Sequence, residues 1–162
     1  EKIMKPYLDL NIASERRKKM YDSKKVIFPK LSKRLYAVID AKGEFASTNT
    51  TFIYGLSDTS VKVIGALVNS SLYDFIYKSI FSGLNLLGSF QFQAPQIRLL
   101  PYKEVTDCTL KTMVVIVDQI LMLKNQNKDA DTKNLESQID QLVYKLYDLT
   151  PEEIEIVENS LK

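Results

Sequence analysis

TTFIYGLSDTSVKVIGALVNSSLYDFIYKSIF, residues 50–81, changes its period part-way along. TTFIYGL is β-branched and aromatic, the composition of a strand. From Ser60 the apolar residues Val61, Ile64, Leu67, Val68, Leu72, Phe75, Ile76 and Ile80 recur at helical spacing, with Gly83 placed as a C-cap. A strand that feeds an amphipathic helix implies a helix packed on a sheet. Upstream, KKVIFPKLS (residues 24–32) and RLYAVID (residues 34–40) read as further strands, followed by the polar turn AKGE (residues 41–44). Downstream, FQFQAPQIRLL (residues 90–100) reads as another strand before Pro101.

The rest is helical in pattern. Leu110, Met113, Val114, Val117, Ile120 and Leu121 form one stripe, and Leu135, Ile139, Leu142, Val143 and Leu146 form a second. The polar turn KNQNKDAD between them predicts an antiparallel pair. In LVYKLYDLTPEEIEIVE (residues 142–158), Thr150 is placed as N-cap, Pro151 at the first helical position and Glu153 to complete a capping box. The expected fold is α+β: a twisted, mostly antiparallel sheet with one packed helix, then a C-terminal helical hairpin and a short terminal helix. Two parts are expected, a β-rich part over 1–102 and a helical tail over 103–162.

Composition excludes much chemistry. The sequence has no histidine, which removes imidazole bases, Ser-His-Asp and Cys-His triads and H-E-x-x-H zinc sites. Cys108 is the single cysteine, so one chain makes neither a disulfide nor a cysteine zinc site, and the residue is expected to be a small buried hydrophobe. Such thiol usage suits a reducing compartment, and neither a signal peptide nor a membrane-spanning run is seen; a soluble, cytoplasmic chain is expected. The chain starts at Glu1 rather than methionine and is expected to be a piece of a longer polypeptide.

Charge is divided along the chain. Residues 1–100 hold fifteen Lys and Arg against eight Asp and Glu, whereas residues 101–162 hold seven against twelve. Eleven of the basic residues fall before Leu35, among them Arg16, Arg17, Lys18, Lys19, Lys24, Lys25, Lys33 and Arg34. The split is either a part that faces a polyanion or a solvated surface.

Several motifs imitate active sites and fail. GLNLLGSF (residues 83–90) spaces its glycines like a phosphate loop but has Ser89 where the lysine is needed. Asp40 with Lys42, and Asp22 with Lys24, resemble the end of a nuclease metal site without a second carboxylate, and a turn explains them better. Glu152 and Glu153 suit a helix N-terminus. NTT at Asn49 and NSS at Asn69 match a glycosylation pattern that a cytoplasmic chain would never use. No catalytic residue and no metal ligand is expected.

KKVIFPKLS, YAVIDAKGEFASTNTTFIYGL, VIGALVNSSLYDFIY, FQFQAPQIRLLPY and IDQLVYKLYDLTPEEIEIVE follow one another as in the TaqI-like specificity domain, and the chain resembles that family over about residues 21–158. ALVNSSLYDF resembles the family's Leu-Asn-Ser helix start, and RLLPY resembles its ending. The resemblance implies a target-recognition domain of adenine-N6 DNA methyltransferases and type IIG restriction-modification enzymes. It implies duplex DNA and the methyltransferase catalytic domain of the same polypeptide as partners, and no cofactor in this part. S-adenosylmethionine would belong to the neighbouring catalytic domain, whose cofactor loop and N-P-P-Y/F motif do not occur here.

On that reading Arg16, Arg17, Lys18, Lys19, Lys24, Lys25, Lys33 and Arg34 contact phosphates, which position without specifying. Base reading falls to Ser47, Thr48, Asn49 and Thr50 in one loop and to Asn85 and Ser89 in another, since asparagine can pair bidentately with adenine. Tyr36 and Tyr54 are expected in the core, as strand aromatics usually are. The tail is expected to space and dock the domain. The alternative is a protein-interaction scaffold that uses the helical hairpin, with the basic segment incidental.

Overall fold

The helical run of residues 60–81 folds as two helices. The computed structural model describes residues 10–45, 50–86 and 88–160. Helix α2 (Asp58–Asn69) starts at Ser57, whose Oγ accepts the Ser60 N–H at 3.0 Å, and helix α3 (Ser71–Ile80) starts directly after Ser70. Ser70 is extended (φ −70°, ψ 154°); its Oγ donates to Leu67 O at 2.7 Å and accepts the Tyr73 N–H at 3.4 Å, so one residue closes α2 and caps α3. The apolar spacing runs on through the break, which is why periodicity shows a single helix. The break is written in the short polar side chains of NSS, which compete for backbone groups. Gly83 does not cap α3: the chain leaves that helix at Phe81, and Gly83 lies in a 3-10 turn (Ser82–Leu84).

Before these helices come α1 (Leu10–Tyr21), β1 (Lys25–Pro29), β2 (Leu31–Ser32), β3 (Val38–Asp40) and β4 (Thr50–Tyr54). After them come β5 (Asn85–Leu86), β6 (Ser89–Gln91), α4 (Ala94–Ile97), α5 (Asp107–Gln126), α6 (Lys133–Leu146) and α7 (Pro151–Asn159). The α+β class holds, with two small antiparallel sheets, ordered β3-β1-β4 and β2-β6-β5. β1 pairs Lys25 with both Asp40 and Tyr54, and Pro29 with Thr50. The chain passes from one sheet to the other at Lys30, whose carbonyl accepts the Phe92 N–H at 3.2 Å. Val26 and Phe28 of β1 are fully buried. α2 comes so close to β3 that a Cβ on Gly65 would lie 2.4 Å from Ile39 Cγ1.

Two expected strands are shorter than their composition suggests. Of residues 34–40 only Val38–Asp40 join a sheet, because helix side chains take the backbone groups before them. Asp74 Oδ1 accepts the Leu35 N–H at 2.7 Å, Asn69 Oδ1 accepts the Ala37 N–H at 3.0 Å, and Asn69 Nδ2 donates to Ala37 O at 2.9 Å. The strand of residues 90–100 stops at Gln91, and Pro95 then sits in the first turn of α4, where its missing N–H costs nothing.

One end of β1 is held by a buried ion pair. Lys25 Nζ lies 2.6 Å from Asp40 Oδ2 with both side chains out of water, and it donates to Tyr21 O (2.5 Å) and Ser23 O (3.2 Å). Asp40 also accepts the N–H groups of Gly43 (2.8 Å), Glu44 (3.1 Å) and Phe45 (2.9 Å). Gly43 takes φ +75° there, and a Cβ would meet Asp22 O at 2.3 Å. This is the AKGE turn, and the Asp40 carboxylate before it serves its backbone. Burial alone would raise the Asp40 carboxyl, but Lys25 and the turn N–H groups outweigh it and hold it below the ordinary range.

The last three helices share the core with the sheets: Met113, Ile116, Val117, Ile139, Val143, Tyr144 and Val157 are buried with Val26, Leu67 and Leu72. α5 packs on α2 and against α6; α6 and α7 pack on α3. Asp140 of α6 accepts the Ser71 N–H at 2.7 Å and the Ser71 hydroxyl at 2.8 Å, a carboxylate set at the N-terminus of α3. The tyrosines Tyr73 and Tyr147, 2.9 Å apart at their hydroxyls, both donate to Pro101 O and so hold the chain entering α5. Thr150 caps α7 as expected, its Oγ1 accepting the Glu153 N–H at 3.3 Å while Glu153 Oε2 accepts the Thr150 N–H at 2.8 Å. Cys108, expected to be buried, is exposed in the first turn of α5. No helix among the described residues is long and apolar enough to cross a membrane.

Asp40→Asn, which leaves Lys25 buried beside a neutral amide, should cost about 3 kcal/mol or more in urea unfolding at neutral pH. Because the folded carboxyl titrates below its unfolded value, this stabilisation is complete above about pH 4 and is lost as pH falls through the folded value. The gap between wild type and Asp40→Asn should therefore close on acidification. Thr150→Ala should cost about 1 kcal/mol in the same assay.

Candidate nucleic-acid interface

The basic residues gather at opposite ends of β1, which lie about 13 Å apart at strand rise. At the Lys25 end, Arg17, Lys18 and Lys19 are exposed on α1, and Lys18 and Lys19 also complement the negative end of that helix. The Arg16 side chain lies outside the described residues. Lys24 is half-exposed and bonded to Asp58 at 3.0 Å, and Asp58 also meets Lys62 at 2.8 Å. Lys25 must be removed from the expected phosphate contacts. Its side chain is fully buried against Asp40, where no phosphate can reach it.

At the Pro29 end, Lys30, Lys33 and Arg34 are exposed. Arg34 lies close enough to Asp140 of α6 to favour its charged form; burial raises the Asp140 carboxyl, and the Ser71 bonds and Arg34 oppose that. Between them, Leu35 and Ala37 turn inward, and Tyr36 is 38% exposed. Tyr54, at the Lys25 end, is 44% exposed. Both tyrosines were expected in the core. Tyr36 lies outside any strand, and Tyr54 is the last residue of β4, so neither has a sheet face to cover it.

Of the expected base readers, Ser47, Thr48 and Asn49 lie outside the described residues. Thr50 opens β4 opposite Pro29, and its Oγ1 is buried with no hydrogen-bond partner among the described residues. It faces inward and cannot meet a base edge. Thr51 Oγ1 donates to Phe92 O at 2.9 Å and so ties the start of β4 to the second sheet. The expected loop of residues 83–89 is a hairpin: β5 pairs β6, Gly88 takes φ +81°, and Asn85 Oδ1 accepts the Gly88 N–H at 2.8 Å. Asn85 is exposed with its amide oxygen committed to the turn; Ser89 is half-buried in β6.

The structure thus brings Lys30, Lys33 and the β5–β6 hairpin beyond the Pro29 end of β1 and the end of α1 to its Lys25 end. Lys30, Gln91 and Gln93 belong to this surface although no motif marks them. For the two glutamines the signal was the alternation in SFQFQ, which sends Phe90 and Phe92 inward and leaves Gln93 exposed. A separate groove of about 490 Å³ opens between Tyr36–Ile39, α2, α5 and α6, with walls such as Val38, Ala66, Val117 and Leu121 and the charges of Arg34, Lys124 and Glu136. No cluster of three metal-ligating side chains is found among the described residues.

The family described as the TaqI-like C-terminal specificity domain matches residues 3–101. The chain belongs to this family. The specificity domain as matched takes in α1, both sheets and α2 to α4, and it ends at Pro101, the residue that Tyr73 and Tyr147 grip. Helices α5 to α7 lie beyond the match. No curated protein matches the chain. The Leu-Asn-Ser-like start has a structural meaning in this specificity domain: Asn69 takes both the N–H and the carbonyl of Ala37, and Ser70 breaks the helix.

Asn85→Ala should release the Gly88 amide. Hydrogen exchange at Gly88 should quicken about fivefold, the worth of one ordinary hydrogen bond, with the global unfolding midpoint unchanged.

Proposed function

We propose that the chain selects the DNA sequence on which a restriction-modification enzyme acts. Membership of a specificity-domain family over residues 3–101 carries this reading. The chemistry of the surface supports it: exposed cations at both ends of β1 and exposed polar side chains at Asn85 and Gln93. Catalysis belongs to an adenine-N6 methyltransferase domain of the same polypeptide, which would hold S-adenosylmethionine. The chain itself contributes no group to that chemistry and needs no cofactor. Residues 1–102 form the recognition part. Residues 103–162 space and dock it, presenting the exposed Val115 and Met122 of α5 to the rest of the enzyme.

Lys30, Lys33 and Arg34 meet phosphates beside the hairpin, and Arg17, Lys18 and Lys19 meet them further along. The two ends of β1 are separated by about the width of a major groove, roughly 12 Å, so both can bracket one groove. Phosphate contact releases counterions and makes binding fall steeply with salt.

The chain should bind duplex DNA with an affinity that falls as salt rises. Lys30→Glu with Lys33→Glu, and separately Lys18→Glu with Lys19→Glu, should each weaken binding to every duplex alike and flatten the salt slope by about two charges. A chain that shows no salt-dependent binding to duplex DNA would instead be a scaffold for other proteins.

A further inference from the structure

The outward face of β6 and the residues after it carry two amides that are bonded to each other. Phe90 and Phe92 are 7% and 1% exposed, so Gln91 and Gln93 point away from the core on the same side of the extended chain. Gln93 Nε2 donates to Gln91 Oε1 at 2.8 Å. That bond uses one of the two N–H groups of Gln93. A donor and an acceptor remain side by side on one planar amide. The same pairing, inverted, is what adenine shows in the major groove, an N6 donor beside the N7 acceptor.

The backbone under this pair is held at each residue. Gln91 pairs with Leu31, and its carbonyl accepts the Tyr77 hydroxyl. The Phe92 N–H bonds Lys30 O at 3.2 Å, and Phe92 O accepts Thr51 Oγ1 at 2.9 Å. Gln93 is the N-cap residue of α4, yet its side chain makes no cap bond, so Gln91 sets the direction of its amide. Lys30 and Lys33 stand exposed at the same end of the molecule, where they can supply the phosphate contacts that bring a groove to this face.

We propose that Gln93 is a specificity-determining residue that pairs with one adenine of the target through the major groove, and that Gln91 is the positioning residue that orients its amide. The inference rests on the reading of the chain as a DNA-recognition domain and names where in it a base is read.

The test uses the whole chain and a pool of duplexes randomised over about one helical turn, ten base pairs. Wild type should enrich a site that contains an A·T pair at a fixed position. Gln93→Ala should relax that position by about tenfold or more and leave the others as they were. Gln93→Glu keeps the acceptor and loses the donor, and should move that position toward cytosine, whose N4 group donates. Such a gained preference cannot come from a misfolded chain. Gln91→Ala should relax the same position partly, whereas Gln91→Glu keeps the acceptor for Gln93 and should preserve the preference while lowering overall affinity. An unchanged site in both Gln93 variants, or an equal loss at all positions, overturns the inference while the recognition reading survives. A wild-type chain that binds DNA but enriches no sequence overturns both.

Discussion

The Lys25–Asp40 pair is the constraint on which the arrangement of the first sheet depends. Two charges taken out of water are costly unless every remaining donor and acceptor is used, and here they are used: the ammonium serves the end of α1, the carboxylate the turn after β3. The pair does more than join two strands. It fixes where α1 ends, where the turn of residues 41–45 lies against Asp22, and therefore which way the chain leaves β3. β3 and β4 flank β1 and run the same way.

The other end of β1 is organised without buried charge. The chain switches sheets at Lys30, and Thr51 and Phe92 bond across the switch. Asn69 and Asp74 reach from the break between α2 and α3 to hold residues 35–37, which no strand holds. Helices α2 and α3 thus anchor residues 35–37, while α5 to α7 pack on the same two helices.

Features set by neighbours in sequence were legible. The capping box at Thr150, the stripes of α5 and α6, the AKGE turn and the central runs of β1 and β4 all follow from local chemistry. What escaped depends on partners far along the chain. Lys25 looks like every other lysine in its cluster until Asp40 is placed beside it. Thr50 points inward because of the register with Pro29, which no pattern within residues 46–51 contains. The break at Ser70 was hidden because hydrophobic residues keep their spacing across it. At the candidate site, the cations before Leu35 and the hairpin region were visible as composition, but which of their side chains face outward was a question of strand register.

The hairpin of β5 and β6 is joined to the rest by few bonds, two residue pairs to β2 and the contacts of Gln91 and Phe92. Phe90 and Phe92 turn into the core, while Asn85 and Gln93 are exposed. Substitutions at the exposed Asn85 and Gln93 therefore leave folding almost undisturbed, and a lineage can try new residues there one at a time. For a specificity domain that reads its target as proposed above, this edge is where inheritance can be rewritten cheaply, and the segment pinned by Asn69 and Asp74 is where it cannot.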